Sequence, residues 1–159
     1  MSHHPVAPVC QADTATSDPA TTTSTTLAPT PTTSIKSCPS GWSDFQDGCY
    51  KDFGSSTSTW IENDALCLAE GARLPSIHSK EEENFLNNLS GGGSYFIGGY
   101  PKDNTWVWSD FTVFDYENLY TNFQVGYCLY QSSDYIGDGW SARECRASYD
   151  YHRICKLIL

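Results

Sequence analysis

The distribution of hydrophobic and polar positions divides the chain into a polar N-terminal segment and a domain. Residues 14–34 are almost wholly Thr, Ser, Pro and Ala, and Leu27 is their only large apolar residue. Such a segment buries too little surface to offset the cost of ordering its backbone, about 1–2 kcal/mol per residue. We therefore expect residues 1–37 to be a disordered Thr/Ser/Pro-rich stem, bare or O-glycosylated, and residues 38–159 to form the domain.

The first helix of the domain is predicted from a cap and an apolar repeat. Thr59 is a good N-cap, Glu62 completes a capping box, and Gly71 suits a left-handed C-cap. Between these positions the spacing of apolar residues by three and four is typical of an amphipathic helix. The residues on or beside its apolar side are Ile61, Ala65, Leu66, Leu68 and Ala69.

A second helix is predicted from Ser79, with Glu82 completing another capping box and glycines 91–93 ending the helix. Its acidic residues Glu81, Glu82 and Glu83 are interpreted as a solvated first turn that the helix dipole favours. The predicted buried face consists of Phe85, Leu86 and Leu89.

Turn residues between aromatic residues predict a short hairpin from Cys38 to Cys49. Residues 110–126 show no clear period, and a loop this long in a compact domain is usually functional. Short apolar and aromatic runs indicate strands at 95–100, 106–108, 127–130, 139–141 and 151–159. Together these elements predict an α+β domain in which two helices pack on small antiparallel sheets, with an irregular aromatic loop at one end.

Composition argues against several classes of protein. The formal net charge of −10 repels phosphate backbones, so we expect no nucleic-acid partner. No apolar run approaches the roughly 18 residues that a membrane span needs, and the first residues lack the apolar core of a signal peptide. The domain histidines, His78 and His152, have no nucleophile elbow or zinc motif around them, so we expect no enzyme.

Seven cysteines without a Cys-x-x-Cys pair indicate a disulfide framework in an oxidising compartment. We therefore expect a secreted, extracellular protein whose export signal is not visible in this chain. Cys10 lies apart from the six domain cysteines, and two interpretations stay open: an intermolecular bridge that makes a covalent dimer, or an unpaired thiol. The sequon Asn88-Leu89-Ser90 predicts N-glycosylation at Asn88.

Several motifs occur in an order typical of one family. They are Cys38-Pro-x-Gly-Trp with Cys49-Tyr50, Gly71-Ala-Arg-Leu-Pro-Ser-Ile, Glu83-x-Phe85, Phe96-Ile-Gly-Gly, Trp106-Val-Trp-Ser-Asp, and then Cys128, Trp140, Cys145 and Cys155. The ordered set resembles the C-type lectin-like domain family, in the long form with an N-terminal hairpin disulfide. Sequence alone leaves fifteen pairings of six cysteines open. The resemblance implies the pairs Cys38–Cys49, Cys67–Cys155 and Cys128–Cys145.

The resemblance also bears on calcium. Sugar-binding members hold the ion with a Glu-Pro-Asn or Gln-Pro-Asp triplet in the long loop, and with an Asn-Asp pair after a tryptophan on a late strand. Here Ser141 and Ala142 follow Trp140, and no proline follows Pro101. We therefore expect no cofactor and no metal at the usual site. A displaced calcium site is the alternative, with candidate ligands Asp115, Glu117, Asn118, Asp134, Asp138 and Glu144.

Aromatic residues interleaved with polar ones make residues 110–126 the predicted recognition surface. Aromatic rings supply contact area with little rotamer entropy to lose, and they can stack on sugar faces. We expect Phe111 and Phe123 to pack inward. The predicted ligand-binding residues, on the loop and the late strand, are Phe114, Tyr116, Glu117, Asn118, Tyr120, Asn122, Trp140 and Ser141.

The predicted function is an extracellular recognition module that binds a glycan or an extracellular protein through this loop, without the usual calcium. One alternative is a calcium-dependent carbohydrate-binding lectin with a displaced metal site. The other is a structural, disulfide-linked secreted or matrix component, in which the stem and Cys10 matter most.

Overall fold

The computed structural model describes residues 37–135 and 139–159, so Cys10 and nearly all of the predicted stem lie outside the described residues. The regular elements are β1 (Ser43–Phe45), β2 (Gly48–Ser58), α1 (Trp60–Ala69), α2 (Lys80–Leu89), β3 (Tyr95–Phe96), β4 (Gly99–Lys102), β5 (Thr105–Trp108), β6 (Tyr127–Gln131), β7 (Ser141–Glu144) and β8 (Tyr149–Ile158). Two helices with two sheets confirm the predicted α+β class. Within the described ranges, no helix has the length and apolar character needed to cross a membrane.

Six strands form one sheet in the order β1-β2-β8-β3-β6-β7, and β4 with β5 forms a separate hairpin. The sheet is larger than the small antiparallel sheets that the sequence predicts, and its β3–β8 pair is parallel. The turn between β4 and β5 has Asp103 and Asn104 at φ of 50° and 61°. Two consecutive positive φ angles are what a type I′ hairpin turn requires, and short polar residues tolerate them best.

Strand β2 is the element that the sequence pattern does not reveal. It runs Gly48–Ser58 and pairs with β8 along most of its length, with a register shift between Asp52 and Ser55. Residues 53–58 read FGSSTS, which lacks the apolar alternation of a half-buried strand. Hydrogen bonding to β8, rather than a buried face, therefore holds this half of β2 in place.

The three disulfides that the family resemblance implies are all present: Cys38–Cys49, Cys67–Cys155 and Cys128–Cys145. The first closes the β1–β2 hairpin, and the third joins β6 to the residue after β7. The second ties α1 to β8 across 88 residues of sequence. Because α1 lies early in the domain and β8 at its end, this bond fixes the two ends of the fold together.

The inward side of helix α1 combines two apolar residues with two polar ones. Its buried residues are Trp60, Asn63, Asp64 and Cys67. The Asn63 amide donates to Ser58 Oγ at 2.8 Å, and the Asp64 carboxylate accepts from Arg73 Nη2 at 2.6 Å. Because these polar groups find partners inside and Cys67 is bonded to β8, this side of the helix stays against the sheet.

The apolar side of α1 consequently faces solvent. The exposed residues are those that the sequence groups together, Ile61, Ala65, Leu66, Leu68 and Ala69. An amphipathic pattern ordinarily marks the core-facing side of a helix, so α1 has the opposite orientation to the usual one. The predicted capping box of Thr59 and Glu62 is confirmed.

Helix α2 confirms its predicted apolar face, with Leu86 fully buried and Phe85 and Leu89 packed against the core. The interpretation of its acidic first turn as solvated is wrong for two of the three residues. Only Glu81 is exposed, whereas Glu82 and Glu83 are buried. Both carboxylates are tolerated inside because each meets specific donors.

Glu82 forms a buried ion pair with the last strand. Its carboxylate accepts from Lys156 Nζ at 2.5 Å, from the Tyr50 hydroxyl at 2.5 Å and from the His78 N–H at 2.8 Å. The Ser79 side chain still accepts from the Glu82 N–H, as an N-cap does. The second half of the predicted capping box is absent because the Glu82 carboxylate turns into the core instead.

Candidate functional site

The predicted recognition loop, residues 110–126, connects β5 to β6 and contains no helix or extended strand. It contacts the late part of the chain through an isolated bridge between Leu119 and Trp140. The Trp140 N–H donates to the Asn118 carbonyl at 2.5 Å, and the Tyr120 N–H donates to the Trp140 carbonyl at 2.7 Å. These bonds fix the middle of the loop beside the start of β7.

Gly139 permits this close approach. Its φ of 117° lies in the region that glycine adopts without strain. A Cβ at this position would lie 2.6 Å from the Asn118 carbonyl oxygen. A larger residue would therefore push the loop away from Trp140.

The inner side of the loop is an aromatic cluster. Phe114 stacks on Trp108 with ring centroids 4.5 Å apart, and Trp140 meets Trp108 edge to face at 5.5 Å. Tyr116 meets Trp140 edge to face at 5.7 Å. Trp140 and Trp108 have no exposed surface, so these rings act as a packed floor under the loop.

Glu83 on α2 anchors the middle of the loop. Its carboxylate, which is 0% exposed, accepts from the Tyr116 hydroxyl at 3.0 Å and from the Asn118 amide at 2.9 Å. Lys80 lies 3.4 Å away and supplies a nearby positive charge. Charge-assisted hydrogen bonds of this kind are stronger than neutral ones, so Glu83 holds Tyr116 and Asn118 inward.

His78 and Asp110 anchor the first half of the loop. His78 Nδ1 lies 2.6 Å from Asp115 Oδ1, and the hydrogen bond from His78 lowers the pKa of the Asp115 carboxyl. The Asp110 carboxylate accepts from the Thr112 hydroxyl at 2.6 Å and from the Ser76 hydroxyl. The first part of the loop is thus tied to the segment that leads into α2.

The outer side of the loop presents a different set of residues. Glu117 and Asn122 are exposed, and Tyr120 is 68% exposed. The prediction that Phe111 packs inward is wrong, since its side chain is 78% exposed. Its φ of 64° and the bond from its N–H to the Trp108 carbonyl form a turn that directs the ring outward. Phe123 does pack inward, edge to face with Trp106 at 5.2 Å.

The structure therefore separates the eight residues that the sequence predicts for ligand binding. Phe114, Tyr116, Asn118 and Trp140 lie on the inner side, and Trp140 has no surface that a ligand could contact. Glu117, Tyr120 and Asn122 lie on the outer side, and Ser141 is half-buried on β7. Asn88, the predicted glycosylation site, is exposed in the last turn of α2.

Sequence reasoning missed Glu83 and His78 as residues that position the loop. A signal for Glu83 was available, because Glu83 precedes the predicted core residue Leu86 by three positions. Residues at i and i+3 share one side of a helix, so Glu83 faces the core. Nothing in the sequence pattern marks His78, since its contact with Asp115 depends on the path of the loop.

The residues at the family's usual late-strand calcium position do not include the ligands that a calcium ion prefers. Ser141 and Ala142 occupy the family position of an Asn-Asp pair, and neither is a carboxylate or an amide. Two candidate ligands of a displaced site are engaged elsewhere, Asp115 with His78 and Asn118 with Glu83. Across 37–135 and 139–159, no three His, Cys, Asp or Glu residues are grouped closely enough to hold a metal. Asp138 lies outside the described residues.

Alkaline titration should report on the inner contact of Tyr116. Partial burial and the hydrogen bond to Glu83 raise the pKa of Tyr116 to about 12. Because the folded pKa exceeds the ordinary value of about 10, this contact stabilises the loop fully below that pH and is lost as the pH rises towards about 12. The difference in tyrosinate absorbance between wild type and Tyr116→Phe should therefore develop near pH 12. A difference centred near pH 10 would show that Tyr116 lies free of Glu83.

Comparison with known proteins identifies the family. Residues 56–157 match the family described as the Lectin C-type domain. The chain is 35% identical over 129 residues to the beta subunit of snaclec EMS16 from Echis multisquamatus, covering 76% of this chain and 80% of that protein. The chain belongs to the C-type lectin domain family.

Two solved structures share the fold. One is a calcium-independent type II antifreeze protein, with a TM-score of 0.67 and 27% identity over 77% of this chain and 95% of that one. The other is the cow C-type carbohydrate-recognition domain of CD23 in the presence of a GlcNAc2Man3 oligosaccharide, with a TM-score of 0.66 and 26% identity over 77% and 97%.

Proposed function

We propose that this domain is an extracellular recognition module that binds a glycan or protein ligand through the outer side of the loop at residues 110–126, without calcium. The role is binding rather than catalysis. Glu117, Tyr120 and Asn122 contact the ligand. Phe114, Tyr116, Asn118 and Trp140 hold the loop in the shape that presents them, and Ser141 borders the contact surface.

The observation that carries this proposal is that contacts within the chain hold the loop. The buried Glu83 carboxylate binds Tyr116 and Asn118, and the floor of Trp108 and Trp140 supports Phe114. A calcium ion organises a loop by neutralising and orienting its oxygen ligands. Here the Glu83 carboxylate and the Trp108–Trp140 floor orient the loop instead, so the recognition surface is formed before the ligand binds.

Two of the similar structures support the proposed glycan ligand and the proposed independence from calcium. The cow CD23 domain was solved in the presence of an oligosaccharide, which supports a glycan ligand for this fold. The antifreeze protein is described as calcium-independent, which supports a functional member without the metal. Three disulfides in the described domain support an oxidising, extracellular setting.

Removal of the three outer side chains should weaken binding strongly. The 159-residue chain is applied to glycan and extracellular-protein arrays, in calcium and in EDTA, and the strongest ligand is then titrated. We expect binding to persist in EDTA. The variant Glu117→Ala/Tyr120→Ala/Asn122→Ala should raise the Kd about 30-fold or more, because an exposed tyrosine at the centre of a contact surface commonly contributes about 2 kcal/mol.

The matched control is Glu81→Ala/Asn84→Ala, which removes an acid and an amide from the exposed side of α2 and should leave binding unchanged. Equal binding by wild type and the loop variant would reject this surface. Binding that EDTA abolishes would instead favour a lectin with a displaced calcium site. Absence of any ligand, together with disulfide-linked multimers that Cys10→Ser removes, would favour the structural role.

A further inference from the structure

The outward side of α1 carries several exposed apolar side chains. Ile61 and Leu68 are 43% and 57% exposed, and the smaller Ala65 and Ala69 continue the same side of the helix. Their spacing by three and four residues makes a continuous stripe. Exposed apolar patches that are continuous rather than scattered mark interaction sites.

The stripe leads into an apolar groove at the N-terminal end of α1. The groove has a volume of about 530 Å³, and Ile61 belongs both to its wall and to the stripe. The Trp60 indole N–H donates to the Ile97 carbonyl at 2.8 Å, which fixes the ring that lines the groove. The other lining residues include Tyr100, Pro101, Val125 and the disulfide between Cys128 and Cys145. A rigid aromatic and disulfide lining suits an inserted apolar side chain.

Charge decides what kind of partner fits. Helix α1 contains no lysine or arginine, and two acidic residues beside its apolar stripe are exposed: Glu62 in its first turn and Glu70 at its C-cap. At the groove, Glu144 and Arg146 balance each other. The whole chain carries a formal charge of −10. Two copies of this side, or this side and an anionic membrane, would repel each other, whereas a cationic segment would be attracted.

We propose that the stripe and the groove form a docking surface, the outer α1 surface, for a segment of a protein partner that carries apolar side chains interspersed with lysine or arginine. One apolar side chain of the partner enters the groove, and others lie along the stripe. The surface is separate from the proposed ligand face, since only Val125 and Gly126 belong to the same loop. The domain thereby engages a ligand and a cationic partner at two sites.

The test uses the 159-residue chain and a dye-labelled amphipathic helical peptide of leucine and lysine, with fluorescence anisotropy as the readout. We expect Ile61→Ser/Leu68→Ser to weaken binding about tenfold or more, because both side chains lose apolar area that the peptide buries. A peptide with glutamate in place of lysine should bind at least about tenfold more weakly than the lysine peptide. Both substituted residues are exposed, so the variant should retain its near-ultraviolet circular dichroism.

The matched control is Val113→Ser, which removes a side chain that is 75% exposed but lies on the long loop. It should bind the peptide as wild type does, as should the Glu117→Ala/Tyr120→Ala/Asn122→Ala variant. The latter control separates failure of this surface from failure of the proposed function. No binding of the lysine peptide, equal binding by the α1 variant, or equal binding of the glutamate peptide would overturn the proposal. Sedimentation that shows a dimer which Ile61→Ser/Leu68→Ser abolishes would assign the surface to a second copy and overturn it too.

Discussion

We expect the paired substitution Cys67→Ala/Cys155→Ala to lower the free energy of unfolding by about 4–5 kcal/mol. The bond closes a span of 88 residues, so its removal releases the most chain entropy in the unfolded state. It also frees α1 from β8, and α1 is held against the sheet by few large apolar contacts because its apolar side faces outward. Urea denaturation of the 159-residue chain, followed by tryptophan fluorescence, measures the loss of stability.

The matched control is Cys38→Ala/Cys49→Ala, which opens a span of 11 residues. The chain-entropy model gives a loss of about 3 kcal/mol for this hairpin bond. A difference of about 2 kcal/mol between the two variants is therefore expected. Equal losses would mean that strain or residual structure in the unfolded chain, rather than loop length, sets the contribution of each bond.

We expect Glu83→Ala to lower the free energy of unfolding by about 3–4 kcal/mol and to release the loop at residues 110–126. The substitution removes two hydrogen bonds to a charged group, each worth about 1.5–3 kcal/mol. It also leaves the Tyr116 hydroxyl and the Asn118 amide without their acceptor. Because these two residues are half-buried, partial hydration keeps the loss below the sum of the largest values. Denaturation gives the energy, and hydrogen exchange shows where protection is lost.

The control for this prediction lies on the same turn of α2. Glu81 carries the same charge but is exposed, so Glu81→Ala should change stability by no more than about 0.5 kcal/mol. Glu83→Gln should lower the free energy of unfolding by less than Glu83→Ala and by more than Glu81→Ala, because the amide keeps one acceptor and loses the charge. Loop exchange that is unchanged in Glu83→Ala would show that the aromatic floor alone holds the loop. Ligand binding should decline with loop protection, which would identify Glu83 as a positioning residue.

Local signals in the chain were sufficient for some elements and not for others. The caps at Thr59 and Ser79 located both helices, because a cap is a contact between residues three apart. The second half of β2 carries no local strand signal, because its residues are polar and its partner lies about a hundred positions away, on β8. Sheet order and the parallel β3–β8 pair depend on such distant partners, and no local period encodes them.

The candidate site shows the same division. The long aperiodic segment and its aromatic residues indicated the loop. The sequence did not indicate which way each side chain points, and Phe111 faces outward where inward packing was expected. The positive φ of Phe111 directs its ring outward. The buried carboxylate of Glu83 on α2 holds the Tyr116 ring inward. Such choices depend on the path of the chain, which composition does not specify.

The sequence by itself indicated the family, the presence of disulfides and the absence of the usual calcium ligands, because each of these depends on which residue types occur and in what order. The tertiary structure alone decided which loop residues the Glu83 carboxylate binds and that the side of α1 with Ile61, Leu66 and Leu68 faces solvent. The spacing of residues along a helix predicts which of them share a side. Which side is buried depends on the partners that the rest of the domain offers it. Here Asn63, Asp64 and Cys67 find their partners in Ser58, Arg73 and Cys155. The side of α1 that carries Ile61, Leu66 and Leu68 therefore stays exposed.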